Sequence, residues 1–291
     1  MARVQTLRLK VRYRIEYRET FGGLPPVEVS NEIAYSVEGN PDGDVLVFVH
    51  GWPDGPSLWR NQVEALGSTY RCMLVTLPNF GAAADKAGGY DFPVLIEMLA
   101  GAIEKVRGEH ERVALVTHDW GAYIGYLYEK AYPERVSKMI AFDIGGHIQP
   151  TTLKEGLFIA GYQWTLIACW LVGGVVPPFG NWLTRKFAHV LGVPARQAKA
   201  VRSRYNYPYF FLWRAMLLPW ARRTLLGNYR PRCPVLFLYG GEKPVMFHSA
   251  RWLRLVEESG GRSECIDGAG HWFMETHPER VNETCAGWVA S

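Results

Sequence analysis

The sequence predicts an α/β protein, a mostly parallel sheet covered by helices, with a helical segment inserted late in the strand–helix alternation. Three observations predict it. Short, continuously apolar runs bounded by Gly and Pro recur along the chain, as in strands buried on both faces. Stretches of helical length separate several of them. The alternation stops between Gly146 and Arg230, a region rich in Trp, Tyr, Phe and Leu, and then resumes to the C-terminus. The expected division is a first core segment over 1–146, a helical cap over 147–230 and a second core segment over 231–291.

The elements follow in order. "RLKVRYRIEYR" alternates strictly, with Leu9, Val11, Tyr13, Ile15 and Tyr17 on one side and charges on the other. That is a half-buried strand whose basic row guards an edge. "EIAYSVEG" is the second expected strand and "DVLVFVH" (Asp44 to His50) the third, stopped by Gly51 and Pro53. "YRCMLVTLP", "RVALVT", "RVSKMIAFD", "CPVLFLYG" and "RSECIDG" supply the fourth to the eighth. Helices are expected over Phe92–Arg107 and Trp120–Tyr132, the second halted by Pro133, which cannot continue a helix.

Composition excludes several classes. The chain has 291 residues, enough for one large domain or a domain with an insertion. With 11 Trp, 15 Tyr and 13 Phe it has ample core material, so a disordered chain is excluded. A net charge of +4 and no zinc-module spacing speak against a nucleic-acid binder. The five cysteines are scattered and odd in number, which implies free thiols and, with no signal-type segment near Met1, a cytoplasmic location. Leu157 to Pro178 carries no charge and approaches the roughly 20 residues that span a bilayer. It lies between Asp119 and His271, which must meet if the site below is correct, so a crossing is disfavoured. A partly buried cap helix is expected, with peripheral docking on a lipid surface as a possible partner interaction.

In an open parallel sheet, sites form at the carboxyl ends of the strands. After the third expected strand comes "HGWPDG", after the fifth "THDWGA", after the sixth Asp143, after the seventh "GGEKPVMF" and after the eighth "GAGHW" with His271. "THDWGA" fits a strand-to-helix elbow, in which small neighbours permit a sharp turn around a nucleophile. Thr117 stands where Gly is commoner. A competing reading makes Asp119 a simple helix N-cap.

These motifs, in this order and with a helical segment after the sixth strand, resemble α/β-hydrolases of the branch containing epoxide hydrolases and haloalkane dehalogenases. The resemblance runs from about Glu32 to the C-terminus. It implies a sheet of about eight strands with a lid over the site. It also implies that Asp119 attacks a saturated carbon to form an alkyl ester, and that His271 activates the water that cleaves it. By the same resemblance, the backbone N–H groups of Trp52 and Trp120 match the positions that stabilise the oxyanion. The acid that orients His271 is Asp143 or Glu242, since Pro244 stands where relatives keep an aspartate. Asp143 is preferred because a strand end gives it a short, rigid tether.

Epoxide hydrolases of this branch protonate the leaving alkoxide from cap tyrosines. "GYQWT" offers Tyr162, and "RYNYPYFFLW" offers Tyr209, with Tyr207 as the alternative. Pro208 is expected to start a helix that carries Tyr209. A dehalogenase would instead cradle a halide with Trp120 and a second donor, here Trp52. The leading expectation is epoxide hydrolysis of an apolar small molecule, with no metal or organic cofactor. The alternatives are a haloalkane dehalogenase and a catalytically degenerate relative acting as a binding protein. Oligomeric state is open.

Overall fold

The structure is a computed structural model that describes residues 33–81, 86–108 and 112–291. The first strand expected from the sequence, around Leu9 to Tyr17, lies outside the described residues. The other seven form strands β1 (Ala34–Gly39), β2 (Val45–Val49), β3 (Arg71–Thr76), β4 (Val113–His118), β5 (Val136–Phe142), β6 (Val235–Gly240) and β7 (Arg262–Ile266). They build one sheet in the order β1-β3-β2-β4-β5-β6-β7. Only β1 runs antiparallel to its neighbour; the other pairs are parallel.

Among the described residues, the α-helices of the first core segment are α1 (Arg60–Leu66), α2 (Phe92–Arg107) and α3 (Trp120–Ala131). Between β5 and β6 the chain forms α4 (Leu153–Val175), α5 (Pro177–Val190), α6 (Ala195–Ala200) and α7 (Tyr207–Leu217), with 3-10 turns at Ser203–Asn206 and Pro219–Thr224 and no strand. The last segment adds α8 (Ala250–Glu258), α9 (Phe273–Thr276) and α10 (Pro278–Ala290).

Continuous apolar runs work here because the sheet is covered on both sides. Along β2, Val45, Val47 and Val49 enter one core cluster while Leu46 and Phe48 enter the other. Along β4, Val113 and Leu115 divide from Ala114 and Val116 in the same way. The period of two sends successive side chains to opposite faces, so both faces must be apolar. Each such buried side chain contributes about 1.5–3 kcal/mol. Strand β1, by contrast, is exposed at all six positions.

The cap is tied to the core by polar contacts. The Trp52 indole Nε1 donates to Asn206 Oδ1 at 2.8 Å, and Asn206 in turn donates to the Leu166 carbonyl at 3.1 Å. The Gly81 N–H donates to the Tyr205 hydroxyl at 2.9 Å. Arg214 of α7 pairs with Asp91, whose side chain also caps α2.

Candidate active site

Asp119 sits at the junction of β4 and α3 with φ 53° and ψ −123°, a left-handed conformation that non-glycine residues avoid. Only Asn79 and Asp143 share a positive φ among the described non-glycine residues. The Asp119 side chain makes no cap hydrogen bond to α3. It turns instead toward the loop after β2, where the Trp52 N–H donates to its Oδ1 at 2.6 Å. The Trp120 N–H also lies close enough to help hold the carboxylate charge. The elbow can be this tight because Gly121 lets α3 approach the end of β2: a Cβ there would stand 2.0 Å from the Val49 carbonyl oxygen. Thr117, larger than the usual elbow residue, fits because Gly125 lies opposite. A Cβ on Gly125 would meet the Thr117 Cγ2 at 2.8 Å.

His271 lies between two carboxylates. Its Nδ1 bonds Asp143 Oδ2 at 2.5 Å, and its Nε2 lies 3.8 Å from Asp119 Oδ2. Asp143 is therefore the carboxylate in contact with His271 Nδ1. Glu242, weighed from the sequence as the other acid, is exposed, and its backbone N–H donates to the Ala269 carbonyl at 2.9 Å. The reason is geometric: β5 delivers Asp143 at its buried end, while Glu242 turns outward in the loop after β6.

The sequence reading missed Lys243. Its Nζ bonds Asp143 Oδ1, and the ammonium side chain is only 4% exposed. No sequence signal separates it from the surface lysines; only the fold brings the loop after β6 over the end of β5. Asp143 also accepts from the Gly240 N–H at 3.2 Å. Burial alone would raise the Asp143 pKa, but His271 and Lys243 bring it down to about 2. For His271, burial works against the charged form, yet the Asp143 and Asp119 carboxylates raise its pKa above the ordinary value. Burial raises the Asp119 pKa, while His271 and the two N–H groups oppose that shift.

Two further groups shape the site. His50 is fully buried, and burial lowers its pKa to about 4. Its Nε2 accepts from the Leu77 N–H at 3.1 Å and its Nδ1–H donates to the Gly51 carbonyl at 3.0 Å, so a neutral ring pins the loop that carries Trp52. Asp54 is buried with its Oδ2 3.9 Å from His118 Nδ1, and it accepts from Trp272 Nε1 at 3.0 Å. Burial raises its pKa to about 7.

A cavity of about 480 Å³ lies between the strand ends and the cap, lined by Asp119, Trp120, Tyr162 and Tyr209 among mostly apolar residues. Tyr209 leaves the first turn of α7 just after Pro208. Its ring meets Tyr162 edge-on at 6.1 Å and Trp120 edge-on at 5.0 Å. Both phenols have raised pKa values, first through burial, with the Asp119 charge adding to it. Tyr207, the alternative donor, is not among the cavity's lining residues: it packs against Phe80, Tyr90 and Phe211. Gln163 is a second residue the sequence reading left without a role. It accepts from Trp213 Nε1 at 2.9 Å and donates to the Tyr162 hydroxyl at 3.3 Å. Among the described residues, no group of three or more His, Cys, Asp or Glu side chains converges as metal ligands do.

Residues 46–284 match the alpha/beta hydrolase family. The chain is 30% identical over 272 residues to epoxide hydrolase 2 of Caenorhabditis elegans, covering 85% of this chain and 74% of that protein. It is 32% identical over 148 residues to a cis-3-alkyl-4-alkyloxetan-2-one decarboxylase of Shewanella oneidensis. That match covers 50% of this chain and spans only 45% of the relative's length. An epoxide hydrolase of Bacillus megaterium, solved with an inhibitor, superposes with a TM-score of 0.65 at 20% identity. The superposition covers 89% of this chain and 97% of that one, and at this identity it speaks to the fold alone. The chain thus belongs to the alpha/beta hydrolase family, in its epoxide hydrolase-like branch.

Proposed function

We propose that the protein hydrolyses an apolar epoxide to a diol through an ester on Asp119. One observation carries this reading: Asp119 and the cap tyrosines Tyr162 and Tyr209 line the same apolar cavity. Trp52 holds Oδ1, so Oδ2 is the free oxygen that attacks an epoxide carbon. The C–O bond breaks, and the departing alkoxide takes a proton from a cap phenol. Gln163 donates to the Tyr162 hydroxyl, which leaves that hydroxyl's own proton available to the cavity.

The ester carbonyl then keeps Oδ1 at the Trp52 and Trp120 N–H groups, where negative charge develops. His271 Nε2 removes a proton from water, and the hydroxide attacks this carbonyl. Asp143 stabilises the imidazolium that results. Collapse of the tetrahedral intermediate breaks the ester C–O bond: the His271 imidazolium protonates the departing alkoxide to give the diol, and the proton left on the Asp119 carboxyl returns to the cap phenolate.

A halide cradle built from two indoles is the weaker reading, because the Trp52 indole N–H is committed to Asn206. A strained four-membered lactone, the substrate class named for the Shewanella relative, is a third electrophile that a carboxylate opens. The test is turnover of aryl and alkyl epoxides, haloalkanes and a cis-dialkyl oxetanone, with Asp119→Ala, Tyr162→Phe and Tyr209→Phe proteins alongside. Diol formation lost with Asp119→Ala and reduced in both tyrosine variants supports the proposal. Halide release, or carbon dioxide and alkene, that depends on Asp119 without diol formation overturns it.

A further inference from the structure

We infer that the cap docks on the surface of an anionic lipid bilayer through the outer face of α4 and α5. The first observation is an apolar stripe. Leu153, Leu157, Trp164, Leu171 and Val175 recur along α4 at helical spacing, and all are exposed; Val175 is 83% exposed. Only the small residues Gly161 and Ala168 fill the turns between them. The stripe follows a helix about 35 Å long. It continues into α5, where Phe179 and Trp182 are half exposed and stack on each other at 5.8 Å. No charged residue occurs from 156 to 184.

The second observation is charge. Residues 147–230 contain eleven lysines and arginines and one acid, Glu155, a net +10. The whole chain carries +4, so the remainder sums to −6. Basic groups stand next to the stripe: Lys154 beside Leu153, and the exposed Lys186 one turn beyond Trp182 on α5. The exposed Arg222 follows Trp220, itself 69% exposed. An apolar face edged by cations, with tryptophans at the boundary, matches a helix lying in the plane of an anionic interface.

The buried side of α4 argues against a crossing. The helix is long and apolar enough to cross a membrane by length and composition. However, Leu166, Ile167, Cys169 and Trp170 pack inside the protein. The cavity mouth also opens beside the stripe, since Ile148, Pro150 and Met216 line the cavity and are exposed.

The test uses the full chain and sedimentation with vesicles of phosphatidylcholine plus phosphatidylserine, against phosphatidylcholine alone. The expected result is binding to the mixed vesicles that falls at least about tenfold without the anionic lipid or at high salt. A Leu171→Ser, Phe179→Ser, Trp182→Ser protein is expected to lose binding while its circular dichroism and melting temperature stay within normal error. None of these three side chains lines the cavity. A Lys154→Gln, Lys186→Gln, Arg222→Gln protein is expected to lose the preference for phosphatidylserine. Absence of binding to either vesicle overturns the inference. So does binding that is unchanged in the serine variant, or self-association without lipid that the serine variant abolishes, which would mean that a second copy covers the face.

Discussion

Replacing Lys243 with methionine removes the ammonium group from Asp143 and leaves the carboxylate buried. Removing one partner of a buried ion pair costs about 3–5 kcal/mol when nothing replaces it. Here His271 Nδ1 at 2.5 Å and the Gly240 N–H at 3.2 Å still hold the carboxylate, and methionine fills most of the volume. The expected loss is therefore smaller, about 2–3 kcal/mol, or a fall of roughly 5–10 °C in melting temperature for a chain of this size. The kinetic consequence has a definite sign. Lys243 disfavours the protonated form of His271, whose pKa is already raised by Asp143 and Asp119. Without Lys243 that pKa rises further. A base that must be neutral to accept a proton then becomes competent only at higher pH. The acidic limb of kcat should move toward alkaline pH, with the plateau reduced by less than about tenfold because Asp143 stays in place. Thermal melts and a kcat profile across pH read both effects. An unchanged melting temperature together with an unmoved limb, or a limb displaced toward acid, would refute the argument.

Other expectations follow from the same geometry. Asp143→Asn should slow ester hydrolysis by about a thousandfold or more, so that alkylated Asp119 accumulates and appears in the mass spectrum. The Asp143 pKa is lowered to about 2, so its contribution is present above pH 4 and is lost as pH falls toward 2; wild type should lose about 2 kcal/mol across that window and the Asn variant little. Asp54 has the opposite sign. Its pKa is raised to about 7, so its ionisation costs stability increasingly from about pH 4 to pH 7, and Asp54→Asn should gain up to about 4 kcal/mol at pH 8 and almost nothing at pH 4 in denaturant titrations. Gly121→Ala should abolish soluble expression or lower the melting temperature by more than about 10 °C, because its Cβ would meet the Val49 and His50 carbonyl oxygens at 2.0 and 2.6 Å, and neither backbone atom has room to move.

The order of the described strands, the helices at 92–107 and 120–131, and the residues that stand after each strand were legible in the sequence alone. Those signals are local: apolar runs of β2 and β4, Pro133 ending α3, and Pro208 opening α7 are legible because periodicity and proline act on neighbouring residues. The candidates Asp119, His271 and Asp143 were legible for the same reason, since strand ends mark where a parallel sheet gathers its functional groups. That Asp143 rather than Glu242 touches His271, and that Tyr209 rather than Tyr207 lines the cavity, is visible only in the folded chain. Each pair differs in direction rather than residue type, and direction depends on how β5, the loop after β6 and α7 pack. Lys243 and Asn206 were invisible in the sequence because their meaning lies in partners 100 and 154 residues away. Long-range pairing of polar groups leaves no local periodicity, so only the folded chain reveals which charge is buried and what satisfies it.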